Sequence, residues 1–108
     1  MIYTIDEIRE IITPVAKKYN LKAVYLFGSY ARGCATETSD VDLLIDTSGT
    51  SIQTLFDLGA VYCDLEDALQ KPIDLLTVSS LLQNIQLPSE ESFRNTVQKE
   101  RKVLYAVA

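Results

Sequence analysis

Apolar residues recur along this chain with two different periods. Ile5, Ile8, Ile11, Ile12, Val15 and Tyr19 lie three and four positions apart, the spacing of one helix face, and predict an amphipathic helix over residues 5–19. Thr4-Ile5-Asp6-Glu7 supplies a capping box at its start: the Thr4 hydroxyl accepts from the Glu7 N–H while the Glu7 side chain reaches back. Asn20 is expected to cap the other end. Pro14 lacks the N–H a helix interior needs, so a kink or a restart capped by Thr13 is expected there. Lys22 to Phe27 is apolar, aromatic and β-branched and predicts a strand stopping at Gly28. Asp40 to Asp46 predicts a second strand with Val41-Asp42-Leu43-Leu44-Ile45 as its body. Leu55, Leu58, Tyr62, Leu65 and Leu69 then return to helical spacing and predict a helix over residues 52–70. That stripe spans only about two heptads, so it is expected to face a core and not a coiled-coil partner. Asp57, Asp64, Glu66 and Asp67 fall mostly on its other faces.

Pro72 is tolerated at the first position of a strand and opens a third one, Ile73 to Val78. Ser79 or Ser80 can cap a short helix through Ile85, Pro88-Ser89-Glu90-Glu91 begins another through Lys99, and Lys102 to Val107 reads as a fourth strand. This order predicts a mixed four-stranded sheet with helices packed on it, of the α/β or α+β class. The apolar ending Val103 to Ala108 is either a plain core strand or an edge that another chain covers.

Composition narrows the picture. A chain of 108 residues, 47% hydrophobic and 23% charged, suits a single globular domain over residues 1–108. No apolar run approaches the ~20 residues of a membrane helix and no signal peptide opens the chain, so no membrane association and a cytoplasmic location are expected. The sequence contains no histidine. That removes Ser-His-Asp and Cys-His catalysis and His-ligated zinc. Cys34 and Cys63 are too few for a zinc site and are expected to stay reduced and partly buried. The net charge of −5 is unevenly spread: residues 40–74 hold eight acidic side chains and, as their one base, Lys71. An acidic chain is a poor general binder of nucleic acid, and the acidic stretch is either a solvated face or a cation site.

Three places carry candidate chemistry: Gly28-Ser29-Tyr30-Ala31-Arg32-Gly33 after the first strand, Asp40-Val41-Asp42 at the start of the second, and Asp74 in the third. In a strand, residues i and i+2 point the same way, roughly 7 Å apart, so Asp40 and Asp42 project together while Val41 and Leu43 face the core. Asp74, between Ile73 and Leu75, has the same local pattern. If the third strand pairs with the second, three carboxylates converge and repel one another. A divalent cation with a taste for oxygen, Mg²⁺ or Mn²⁺, relieves that repulsion. Gly28 and Ser29 would present backbone N–H groups and a hydroxyl to a phosphate, with Arg32 adding a cationic donor. Together these are parts for phosphoryl or nucleotidyl transfer.

Taken singly, each residue has a plainer reading. Gly28 suits an ordinary turn, the Asp pair a solvated edge, Asp74 the wet face of a strand, Arg32 the surface, and Tyr30 packing more than a substrate platform. The spacing changes the balance, because Gly-Ser, ten residues, then Asp-x-Asp arises by chance in such a chain only on the order of once in a thousand.

The blocks Leu26-Phe27-Gly28-Ser29-Tyr30-Ala31-Arg32-Gly33 and Ser39-Asp40-Val41-Asp42-Leu43-Leu44-Ile45 closely resemble the minimal nucleotidyltransferases, the MNT branch of the DNA polymerase β-like superfamily. Pro72-Ile73-Asp74-Leu75-Leu76 is similar to the strand that bears that superfamily's third carboxylate. The resemblance implies the polymerase β-like fold, with Asp40 and Asp42 binding two Mg²⁺ ions (or Mn²⁺). Asp74 completes the catalytic metal site and helps deprotonate an acceptor hydroxyl, and Gly28, Ser29 and Arg32 hold the nucleoside triphosphate, ATP. Members of this size are typically antitoxins paired with a HEPN-domain RNase toxin, so a hetero-oligomer is implied. Some transfer AMP from ATP to a tyrosine of the toxin, and others are proposed to act by occlusion. One departure is Arg101, where the family often has Gly before the final strand; a left-handed turn there would cost about 1 kcal/mol.

Overall fold

A computed structural model describes residues 2–50, 52, 54–78 and 101–107. Its elements are α1 (Ile5–Lys18), β1 (Ala23–Phe27), α2 (Gly28–Arg32), β2 (Val41–Asp46), α3 (Leu55–Leu69), β3 (Ile73–Thr77) and β4 (Lys102–Ala106). The helices expected at 79–85 and 88–99 lie outside the described residues.

α1 begins with the expected capping box, in which the Glu7 N–H donates to the Thr4 hydroxyl at 3.1 Å and the Thr4 N–H to the Glu7 carboxylate at 2.8 Å. It runs unbroken through Pro14. The Thr13 hydroxyl donates to the Arg9 carbonyl at 2.6 Å, a bond within one helix, so Thr13 caps no second helix. Both Pro14 and Glu10 are exposed, which leaves the carbonyl deprived of its partner on the solvent side, where water can satisfy it. At the other end Asn20 takes φ 55°, its N–H reaching Lys17 O and the Leu21 N–H reaching Ala16 O. This is the paired bonding of a Schellman motif, with Asn in the left-handed position that Gly usually fills.

The sheet order is β3-β2-β1-β4. β1 pairs antiparallel with β2 and with β4, while β2 and β3 are parallel, giving the mixed sheet the alternation predicted. One face packs against α1 and α3. Val24, Leu26, Val41, Leu43, Ile45, Ile73 and Leu104 join Ile8, Ile12, Ala16, Val61, Leu65 and Leu69 in the core. On the other face Phe27 and Leu44 are buried with Tyr25, Leu76 and Val78 against them.

Several expectations need correction. α3 starts at Leu55, not 52, because Thr54 is its N-cap: the Asp57 N–H donates to the Thr54 hydroxyl at 3.2 Å. Leu55 is therefore in the exposed first turn, 85% accessible beside Phe56 at 91%, and the inward face is carried by Val61, Leu65 and Leu69. Asp64 is not an idle surface charge. It accepts from the Tyr19 hydroxyl at 2.6 Å and from Lys18 at 2.9 Å, tying α3 to the end of α1. Cys34 and Cys63 are free as expected but exposed, not partly buried. Arg101 is absent from the left-handed residues and stacks its guanidinium 4.3 Å over the Tyr25 ring, so it carries no backbone strain.

Candidate active site

The three motif segments meet at one end of the sheet. β1 runs into Gly28, β2 begins just after Asp40, and β3 begins at Ile73. Asp42 stands opposite Phe27 in the antiparallel ladder and opposite Asp74 in the parallel one. Since neighbours in register share a face, Asp42 and Asp74 point to the same side, away from α1 and α3. The backbone closes this end further: the Val41 N–H donates to the Pro72 carbonyl at 3.1 Å.

Gly28 takes φ 73°, left-handed backbone that favours glycine. A Cβ built there would overlap the Asp42 carboxylate and lie 2.9 Å from its Cγ. The absent side chain is thus the space the carboxylate occupies. Gly28 opens α2, whose N-cap residue Phe27 is extended and makes no side-chain capping bond. The chain leaves α2 through Gly33 at φ 77°, with the Cys34 N–H donating to the Ser29 carbonyl at 3.0 Å. Tyr30, within α2, is fully packed, 3% exposed, so of its two readings the structure favours the packing one.

The electrostatics centre on Asp42. Burial, followed by hydrogen bonding to Asp74 and the negative charges of Asp74 and Asp40, raises its pKa from 3.8 to about 6, while the Arg32 guanidinium pulls the other way. Two facing carboxyls sharing a partly dry site cannot both ionise cheaply. Of the expected triad, Asp42 and Asp74 are in direct contact. Asp40, exposed one residue ahead of β2, acts on Asp42 through its charge. No three acidic, Cys or His side chains are gathered round one point among the described residues. The donors nonetheless fit a divalent cation: they are all oxygen, they repel one another, and a cation is what would lower the Asp42 pKa back to the carboxylate range. Arg32 is near enough to feel that charge, although exposed.

Two neighbours were not singled out by sequence reasoning as part of the site. Tyr62, read as core, donates its hydroxyl to the Ile73 carbonyl at 3.3 Å. Its pKa is raised, chiefly by a hydrogen bond to Glu66 and by burial, with Asp74 and Asp40 contributing. Lys71 donates to the Glu37 carbonyl at 3.1 Å and stands 5.6 Å over the Tyr30 ring. Its signal was present, as the one base in the acidic stretch.

This geometry has a known counterpart. The family model described as polymerase beta, nucleotidyltransferase, matches residues 10–107. The chain belongs to that nucleotidyltransferase family. It is a member of the MNT branch: the protein adenylyltransferase MntA of Thermococcus cleftensis is 36% identical over 86 residues, covering 76% of this chain and 85% of that protein. MJ0435 of Methanocaldococcus jannaschii, provisionally named a protein adenylyltransferase, is 39% identical over 77 residues, 71% of this chain and 81% of its own. A solved structure provisionally described as a minimal nucleotidyltransferase superposes with a TM-score of 0.68 at 26% identity, over 93% of this chain and 95% of that one. The same fold recurs, at 18% identity and a TM-score of 0.64, in the complex of a tri-AMPylated Shewanella oneidensis HEPN toxin with its MNT antitoxin, over 96% of this chain and 74% of that one. Among the described residues, no helix is long and apolar enough to cross a membrane.

Proposed function

We propose that this nucleotidyltransferase is an antitoxin of 1–108 as one minimal domain, which transfers AMP from ATP to a tyrosine hydroxyl of a HEPN-domain RNase toxin in the cytoplasm. The observation that carries the reading is the register of Asp42 against Asp74 beside the side-chain-free Gly28. The adenylyltransferase name of the relatives supports the nucleotide and the protein acceptor.

In this reading Gly28 and Ser29 bind the triphosphate through the backbone and hydroxyl of the α2 turn, and Arg32 adds charge-assisted hydrogen bonds. Asp40, Asp42 and Asp74 would hold two Mg²⁺ ions, which supply charge neutralisation at the phosphates and acidify the acceptor hydroxyl. Asp74, with Asp42 against it, takes the hydroxyl proton. The acceptor oxygen then bonds to the α-phosphorus and the bond to the departing pyrophosphate breaks. Orientation does most of the work, since the acceptor comes from a partner and must be aligned in line with that bond. A hetero-oligomer with the toxin follows.

The test is incubation of the chain and its cognate toxin with ATP labelled in the α-phosphate and Mg²⁺. Label is expected on the toxin with wild type and none with Asp42→Ala; an unlabelled toxin in both overturns the proposal. The acid-rich stretch 40–74 favours a second reading, in which that stretch covers a basic toxin surface without catalysis. Protection of cells by Asp40→Asn/Asp42→Asn equal to wild type would select it.

A further inference from the structure

Lys71 is the one basic side chain between residues 40 and 74. Its Nζ donates to the Glu37 carbonyl at 3.1 Å. The same ammonium stands 5.6 Å from the centroid of the Tyr30 ring, within cation–π range. Tyr30 is buried and its hydroxyl has no hydrogen-bond partner among the described residues. What this tyrosine offers its surroundings is therefore the face of its ring.

These contacts join the three segments that bear the site. Lys71 is three residues before Asp74, Tyr30 follows Ser29 in α2, and Glu37 is three residues before Asp40. The Glu37 segment is a tight hydroxyl-rich turn: the Thr36 N–H donates to the Ser39 hydroxyl at 2.9 Å and the Ser39 N–H to the Thr36 carbonyl at 3.1 Å. Its internal bonds fix its shape but not where it sits, and Asp40 leaves from its end. We infer that Lys71 is a positioning residue that anchors the 36–39 turn against α2 and so sets where the Asp40 carboxylate stands relative to Asp42 and Asp74. The inference rests on the metal-dependent reading above. A carbonyl and an aromatic face together hold an ammonium from two directions, which suits an anchor.

The experiment compares wild type, Lys71→Met, which keeps the aliphatic stem, and Lys71→Arg, which keeps a donor and a cation. Amide hydrogen exchange is read at residues 36–40 in metal-free protein, and Mn²⁺ binding is read by electron paramagnetic resonance. Lys71→Met is expected to exchange about tenfold faster at the Ser39 amide and to bind Mn²⁺ about tenfold more weakly, with Lys71→Arg restoring both. A merely structural role would instead lower the melting temperature and leave the turn's exchange relative to the core unchanged. Exchange and Mn²⁺ affinity within twofold of wild type in Lys71→Met overturn the inference, as does failure of Lys71→Arg to restore them. If Lys71→Met does not fold, Lys71→Gln is compared with Lys71→Arg in the same way. A wild-type chain that binds no Mn²⁺ overturns the proposed function, and the exchange result alone then decides on the anchor.

Discussion

Gly28 and Asp42 show how one residue's absence of a side chain makes another's chemistry feasible. Gly28→Ala would force a Cβ into the Asp42 carboxylate at a left-handed backbone position. It is expected to abolish nucleotidyl transfer and to lower stability by about 2 kcal/mol, read by urea unfolding alongside the label assay. Asp42 itself makes stability depend on pH. Its folded pKa of about 6 lies above the ordinary 3.8, so the folded chain takes up a proton that the unfolded chain releases. The resulting stabilisation is complete below pH 3.8 and disappears as pH rises through about 6. Without divalent ions, Asp42→Asn should thus melt about 3 °C above wild type at pH 8, a figure discounted for the carboxyl's exposure. The gap should close as the pH approaches 4. A melting series across that range in chelator checks both the sign and the window.

At the scale of elements, what was legible depended on how far an element obeys its local sequence. α1 was readable at both ends because capping box, apolar period and Asn stop agree. It was not readable at Pro14, where the expected break does not occur because the freed Glu10 carbonyl faces solvent. α3 was readable in its body but not at its start, since Leu55 and Phe56 look like core in sequence while Thr54 and Asp57 decide where the helix begins. Only the capping geometry distinguishes those choices. The end of α3 carries a cost that periodicity does not reveal: Gln70 sits at φ 55°, a conformation that Gly adopts without penalty. Gln70→Gly is expected to stabilise the protein by about 0.5–1 kcal/mol, less whatever its side-chain bond to the Asp67 carbonyl supplies. Chemical denaturation would measure the difference, and a loss of stability would refute the assignment of strain.

For the molecule as a whole, the candidate site was readable as a set of residues but not as a set of distances. Alternation places Asp40, Asp42 and Asp74 on sensible faces, yet nothing local tells that Asp42 and Asp74 touch while Asp40 stands at the rim, nor that Lys71 reaches Glu37. Those facts come from strand pairing across distant segments. Binding at such a junction should stabilise the whole fold. Mn²⁺ with a non-hydrolysable ATP analogue, at about a hundred times the dissociation constant, should raise the melting temperature by about 10 °C, and calorimetry should find no such rise in Asp42→Asn/Asp74→Asn. The parallel pairing of β2 with β3 has one more implication. A slip of β3 by a single residue would turn Asp74 inward among the leucines and isoleucines beneath the helices and push Ile73 into water. Misaligned chains are therefore removed by their own instability, and whatever survives folding already has its two acids side by side. Selection for a sound core is, at this sheet, also proofreading of the candidate site.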